Sequence, residues 1–419
     1  MLTRPEAIHP PVAEGPDAFA GAGGLLLAVS GGPDSMGMLF SLARAGASSK
    51  NDRRIEVATV DHGLRPESSS EASMVAAACA GLGLVHHTLH IETPPKRGVQ
   101  ANARHMRYRL LAACARERGL KTIVTAHHAG DQAETVAMRL AHRSGLEGLA
   151  GIRRHSNFDG IGILRPFLDL APEQLRAFAA DGPSVDDPSN RDRRFERVRV
   201  RQALDDRSRT RLLRLGARAS ELRTRRELAR HQAILSHCRL LPSGHAAIPL
   251  AALASMSPLL RAGLIGDLVP AIAGSRHRPP FAARTRFLER TVAEKGATLA
   301  GCRAVVRNGN VWLGREWGRT GPEPVLLTPG RSAVWDERFV CVAPEALPVG
   351  STLDALGDDK DRMPHEIPAV LRRAAPAIRY PDGTLFEGPA EVEWLGFARL
   401  AQLAGQSADH GPWPGVYAN

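Results

Sequence analysis

LLLAVSGGPDSMGML, Leu25 to Leu39, is the stretch on which the fold turns. A short apolar run gives way to two glycines among hydroxyls and an aspartate, and then to a helical start. Strand, loop and helix in that order read as the first unit of a parallel sheet. Gly31 and Gly32 allow positive φ and close backbone approach, so successive N–H groups can form an anion nest, to which a helix N-terminus adds its partial charge. The hydroxyls of Ser30 and Ser35 add donors. A Walker-type loop would carry GxxxxGK followed by Ser or Thr, and that lysine is absent here. Asp34 would repel phosphate unless a divalent cation or a positive substrate group lay between them. The stretch therefore suits ATP with Mg²⁺, held by its pyrophosphate as a leaving group. A glycine-rich turn that only caps a helix is the plainer alternative.

Outward from this stretch, short apolar runs alternate with amphipathic ones up to about Ala141. Strands are expected at Leu25–Val29, Ile55–Val60, Val85–His90 and Thr122–Ala126, and helices at Ser35–Ala45, Glu71–Ala80, Asn102–Arg118 and Gln132–His142. The fold class is doubly wound α/β with a mostly parallel sheet. From Pro188 to Pro242 no proline intervenes and Gly216 is the only glycine, while leucines and alanines recur among arginines at helical spacing. That predicts a basic helical linker over residues 204–240, after a catalytic domain over 23–203. CRAVVRNGNVWLGRE, Cys302 to Glu316, reads as a hairpin around Asn308-Gly309 within a second, RNA-binding domain over 241–319. Residues 320–419 hold prolines, glycines and short strand-like runs, a small module or tail.

The chain has 419 residues with Lys+Arg 55 against Asp+Glu 44, a net charge of +11. An excess of this sign favours an anionic partner, nucleic acid first. It is concentrated: residues 191–230 hold 15 arginines, no lysine and 6 acids. Five cysteines with no CxxC pair argue against a zinc knuckle or disulfide framework. The opening residues 1–22 carry acids and prolines where a signal peptide needs an apolar core, and no later run suits a membrane span. The expectation is a cytoplasmic protein with a loose N-terminal arm, no membrane association, and an oligomeric state left open.

Six stretches carry the chemistry. SGGPDS, Ser30 to Ser35, closes the first strand, and VDHGLRPES, Val60 to Ser68, the second. VQANARHMRYRLL opens the third helix, AHHAGDQAET follows the fourth strand, and RSGLEGLAGI follows the fourth helix. DDPSNRDRRFERVRVR, Asp186 to Arg201, precedes the basic helix. The first resembles the PP-loop of the N-type ATP pyrophosphatases, which cleave ATP between its α- and β-phosphates. All six in this order resemble the tRNA(Ile)-lysidine synthase family over about Leu25 to Arg201, with a weaker likeness at Thr298 to Glu316.

The resemblance implies an adenine nucleotide alpha-hydrolase-like fold and a ligase. Its substrates would be ATP, free L-lysine and an isoleucine tRNA with a CAU anticodon, whose wobble cytidine is adenylylated and then attacked by the lysine amine. By position in the motifs, Ser30, Gly31, Gly32, Pro33, Asp34, Ser35, Asp61 and His62 would bind ATP. Asp34, Asp131, Glu134 and Arg104 would be catalytic, and Asp34 and Asp131 would serve Mg²⁺. For tRNA the candidates are Arg197, Arg199 and Arg201, then Arg207, Arg211 and Arg214. Arg197, Arg199 and Arg201 alternate at two-residue spacing, so they cannot share one helical face, and some are expected to turn inward to acids. His127-His128 suits a structural role more often than a metal.

In one place the chain departs from the family pattern: two adjacent aspartates usually precede the glutamine of AHHAGDQ, and here the first is Gly130. Two further readings stay open. A PP-loop tRNA thiolase would need working cysteines, and a catalytically impaired RNA-binding module would be the outcome if the loss at Gly130 were disabling. A glutamine-using synthetase is disfavoured by the lack of a glutaminase pattern.

Overall fold

The structure, a computed structural model, describes residues 24–47, 54–61, 68–91, 99–180, 182–185, 192–275 and 277–403. The expected arm over 1–22 and His62 lie outside the described residues. The chain divides into two compact units, Met1–Arg223 and Thr224–Asn419.

The first unit holds β1 (Leu25–Ala28), α1 (Pro33–Ala47), β2 (Ile55–Asp61), α2 (Ser68–Gly81), β3 (Val85–His90), α3 (Val99–Glu117), β4 (Thr122–Val124) and α4 (Ala129–Ala141). Then come α5 (Leu146–Leu149), β5 (His155–Phe158), β6 (Ile161–Leu164), α6 (Pro172–Ala177) and α7 (Glu196–Ala203). The sheet order is β3-β2-β1-β4-β6-β5, parallel throughout except for β5. The helix starts differ from the expected ones by two or three residues, for identifiable reasons. Proline is pre-set for a first helical position, so α1 begins at Pro33, and α4 begins at Ala129 because His128 caps it.

Side chains of β1 alternate between two cores, as the pleat requires. Leu25 and Leu27 pack with Met36, Leu39 and Val75 on one face, while Leu26 packs with Leu111, Ala115 and Ile123 on the other. Burying these three leucines contributes about 2 kcal/mol each. Because β2 lies on one side of β1 and β4 on the other, the loops after β1 and β4 part over the sheet's C-terminal edge and leave a crevice there.

Helix α8 (Asp206–His237) covers most of the basic stretch, and the division between units falls within it. The second unit has a five-stranded antiparallel sheet, order β7-β8-β11-β10-β9, built from Arg239–Leu241, His245–Pro249, Gly296–Leu299, Cys302–Arg307 and Asn310–Arg315. Helices α9 (Leu250–Ser255), α10 (Pro258–Ala273) and α11 (Phe281–Ala293) accompany it. Strands β10 and β11 pair across Asn308 and Gly309, whose φ values of 48° and 71° suit a tight hairpin turn. Beyond residue 324, short strands form two three-stranded sheets, and Trp335, Phe339 and Trp394 share one apolar cluster with Leu264, Leu268 and Leu313. Inside this unit Asp267 is buried and ion-paired with Arg230 at 2.6 Å and Arg278 at 2.8 Å. Among the described residues, no helix is long and apolar enough to cross a membrane.

Candidate active site

A cleft of about 770 Å³ opens over the crevice, lined by the loop Ser30, Gly32, Pro33, Asp34 and Ser35, and by Ala28, Ala58, Val60 and Leu111 from the sheet and α3. Arg104, Arg107, Tyr108, Thr125, His127, Asp131, Arg176, Arg197 and Arg201 complete the wall. Gly31 has φ 83°, a conformation that favours glycine, and a Cβ there would press against the flexible end of Met74 at 3.2 Å. Ser35 is buried, and its hydroxyl donates to the Gly32 carbonyl at 2.9 Å while accepting the Ser30 N–H at 3.2 Å. Its single proton is thus committed to shaping the loop, and the more exposed Ser30 hydroxyl, which also lines the cleft, lies 3.3 Å from the Ser35 hydroxyl.

Asp34 meets two cationic or polar partners from distant segments. Arg176 Nε donates to Oδ1 at 2.7 Å, and His128 Nε2 lies 3.5 Å from Oδ2. Burial pushes the Asp34 carboxyl up, but hydrogen bonds and charge from His128 and Arg176 outweigh it and hold the group at about 2. His128 itself is the N-cap of α4: it accepts from Asp131 N–H at 3.3 Å, and its own N–H donates to the Asp131 carboxylate at 3.0 Å. A capping histidine explains why the His-His pair stands immediately before the acids.

Asp131 and Glu134 lie on one side of α4's first turn and meet α7 through its arginines. Arg197 donates to Asp131 at 2.5 Å and to Glu134 at 2.7 Å, and Arg201 donates to Glu134 at 2.6 Å. Residues 197 and 201 stand four apart and share a helical face; Arg199 points elsewhere and donates to the carbonyls of Arg193 and Arg194, each at 2.8 Å. Glu134 is only 4% exposed, and Arg201 and Arg197 hold it below its ordinary value against a burial effect that raises it. It sits beneath the two arginines, outside the lining of the cleft, whereas Asp131 lines it.

Arg104 stacks over Tyr108 at 5.3 Å, and Tyr108 packs against Phe158 with ring centroids 5.7 Å apart. His127, bonded through Nδ1 to the Thr125 hydroxyl at 2.8 Å, is pushed down to about 2 by burial and by the nearby Arg165, Arg104, Arg197 and Arg107. It is a neutral imidazole in a strongly positive wall. A second pocket of about 350 Å³ shares Arg104, His127 and Arg197 with the cleft and adds Arg139, Glu147 and Ile152. Its rim is clasped by Gln132, which donates to the Ile152 carbonyl at 3.0 Å and accepts the Ile152 N–H at 2.6 Å. Gly151, φ 65°, permits this, since a Cβ would come within 2.3 Å of Gln132 Oε1.

Of the remaining candidates, Asp61 ends β2 and accepts the Ser68 hydroxyl at 2.5 Å. Arg207, Arg211 and Arg214 are exposed on α8 at i, i+4 and i+7, one face of the helix. For Mg²⁺ the donor chemistry fits: carboxylate oxygens of Asp34 and Asp131 line the cleft, and Mg²⁺ ordinarily takes one or two carboxylates with substrate phosphates supplying the rest. Among the described residues no cluster of three His, Cys, Asp or Glu side chains forms a closed metal cage. Sequence reasoning passed over Arg176 and the Gln132 clasp. Arg176 gave no signal, being 142 positions from its partner; RSGLEGLAGI signalled the clasp by its glycines without revealing what they receive.

The parallel sheet, the lysine-free loop at the end of β1 and the acids at the head of α4 define a PP-loop protein. Accordingly, a family profile described as a PP-loop domain matches residues 10–207. The chain belongs to the tRNA(Ile)-lysidine synthase family. It is similar to the protein of that name from Rhodopseudomonas palustris, 37% identical over 67% of this chain and 89% of that one. To the one from Rhizobium meliloti it is 35% identical over 88% and 86%. Against the protein from Novosphingobium aromaticivorans it is 46% identical over 44% of this chain, and the match spans 56% of the relative's length. Among solved structures, the U34-tRNA thiolase NcsA from Methanococcus maripaludis has a TM-score of 0.41 at 15% identity, covering 47% of this chain and 71% of that one.

Proposed function

We propose that this chain joins free L-lysine to the wobble cytidine of the CAU anticodon of an isoleucine tRNA, consuming ATP and releasing AMP and pyrophosphate. In this reading the base carbonyl oxygen attacks the α-phosphorus and the bond to pyrophosphate breaks. The lysine amine then attacks the same base carbon, gives up a proton, and the carbon–oxygen bond to AMP breaks.

The observation that carries the reading is that the SGGPDS loop, Asp34, Asp131 and Arg104 line one cleft large enough for a nucleotide. Ala28, Ala58, Val60 and Leu111 offer the adenine an apolar wall, and the loop with the α1 N-terminus receives the pyrophosphate. Mg²⁺, held by Asp34 with Asp131 as a second ligand, would supply charge neutralisation at the leaving pyrophosphate. Asp131 is also suited to hold or deprotonate the lysine amine, and the adjoining pocket offers Glu147 to an ammonium group. Arg207, Arg211 and Arg214 suit the RNA backbone, where phosphate contacts position the substrate. An anticodon base is already splayed and needs little melting to enter.

The thiolase alternative is weakened by the cysteines: all five are buried, and burial raises the thiol of Cys79 to about 11, so none offers a thiolate to solvent. A non-catalytic RNA-binding module is weakened by Asp34 and Asp131, which both face the cleft. The test is incubation with isoleucine tRNA transcript, ATP, Mg²⁺ and labelled lysine. Label transfer that vanishes when the anticodon cytidine is replaced supports the reading; ATP turnover without label transfer overturns it.

A further inference from the structure

An anion-binding loop that contains an aspartate and no lysine needs a cation from elsewhere, and α6 brings one. Arg176 Nε lies 2.7 Å from Asp34 Oδ1 and its Nη2 lies 3.5 Å from Oδ2, while the residue lines the same cleft as Ser30, Gly32 and Ser35. Its placement is built into the packing. Gly37, one turn into α1, lacks the side chain that would otherwise hold α6 away: a Cβ there would stand 2.1 Å from the Leu175 carbonyl oxygen. Leu175 is wholly buried against the core, so α6 approaches α1 backbone to backbone, and the next residue falls over α1's first turn. The short helix is fixed at its own start by Pro172 and by the Gln174 side chain, which accepts the Ala171 N–H at 3.1 Å.

We propose that Arg176 is the cation missing from the loop, a binding residue for the β- and γ-phosphates of ATP that holds the Asp34 carboxylate until the nucleotide arrives. The inference rests on the ATP reading above. Without nucleotide, the guanidinium neutralises Asp34, which would otherwise repel polyphosphate. The pair is partly solvated, with side chains 47% and 32% exposed, and ion pairs at such exposure are weak enough to change partners. On binding, the carboxylate turns to the metal and the planar guanidinium turns to phosphate oxygens, which it can engage through paired donors. No bond is made or broken in this exchange.

The experiment is titration calorimetry of the full chain with ATP and with AMP, in Mg²⁺, for wild type, Arg176→Gln, Arg176→Lys, and Arg176→Gln in an Asp34→Asn background. The expected result is at least a tenfold loss of ATP affinity in Arg176→Gln with AMP affinity within twofold, partial recovery in Arg176→Lys, and persistence of the loss in the Asp34→Asn background. Equal ATP affinity in wild type and Arg176→Gln overturns the inference alone. So does an equal loss for AMP, or disappearance of the effect when Asp34 is neutral, since either makes Arg176 a support for its neighbours only. Failure of the wild type to bind ATP overturns the nucleotide reading and this inference with it. Gly37→Ala, with folding monitored by circular dichroism, gives a second route: pushing α6 outward should lower ATP affinity while leaving AMP affinity within twofold, and unchanged ATP affinity in a folded variant counts against the placement argument.

Discussion

Gly130 has no side chain where the ring of His128 lies: a Cβ at that position would stand 2.8 Å from His128 Cε1 and 3.0 Å from Nδ1. The ring is buried, caps α4 and reaches toward Asp34, so it has little freedom to yield. A side chain at position 130 fits only if His128 moves. Gly130→Asp should therefore not restore anything. It should displace His128, weaken the α4 cap by about 1 kcal/mol, and lower pyrophosphate release. Thermal melting together with a pyrophosphate assay checks this, and activity at or above the wild-type level in the variant would show that His128 can move aside freely.

Asp34→Ala should reduce conversion of ATP to AMP by about 100-fold or more, the scale expected when a preorganised electrostatic contact is lost. Stability should change little, within about 1 kcal/mol, because the Asp34–Arg176 pair is partly solvated. With its carboxyl at about 2, Asp34 in the nucleotide-free protein is ionised from pH 5 to pH 7. Any decline in wild-type rate between pH 7 and pH 5 therefore comes from another group. Single-turnover measurement across that range tests both statements.

Away from the cleft, Glu56 is 2% exposed on β2 and is held by Arg118 at 3.0 Å, His87 at 2.6 Å and Arg54 at 2.7 Å. Burial raises its carboxyl, but hydrogen bonds from Arg118, His87 and Arg54 prevail and bring it from 4.5 to about 2. A folded-state value below the unfolded one stabilises the protein above pH 4.5, and that stabilisation disappears as pH falls through about 2. Glu56→Gln should cost about 1–3 kcal/mol at pH 7. The gap from wild type should narrow below pH 4 and close near pH 2, which melting curves across that range would reveal.

On α8, reversing Arg207, Arg211 and Arg214 to glutamate should weaken tRNA binding and flatten its dependence on salt. Each lost phosphate contact removes about 0.7–0.9 from the slope of log K against log salt concentration. ATP affinity should stay unchanged. Filter binding at several salt concentrations measures the slope, and an unaltered slope would remove this face from the RNA contact.

The four leading strand and helix pairs were legible because parallel strands write themselves as apolar runs, and the Asn308-Gly309 turn because its backbone demands are met by few residues. Spacing also said that Arg197, Arg199 and Arg201 cannot share one helical face and that some turn inward to acids, but not that Arg197 and Arg201 are the ones that do. What spacing does not carry is the meeting of segments far apart in the chain. Arg176 looks like any exposed helical arginine until the contact between Gly37 and Leu175 brings it over the loop. The β5–β6 hairpin went unread even though Asp159-Gly160, with φ of 49° and 82°, supplied the signal. HSNF is too polar to announce a strand.

Under the proposed reaction, Ser35 would bear on turnover as well as on shape. By tying its hydroxyl to Gly32 and to the Ser30 N–H, and with the Gly31 carbonyl accepting Val185 N–H at 2.9 Å, the chain freezes the cradle during folding. Conformational entropy is surrendered once, when the protein folds, and need not be surrendered again at each catalytic cycle. In the reaction proposed above, a nucleotide docking into a rigid cradle would keep that part of its interaction energy for the step at its α-phosphate.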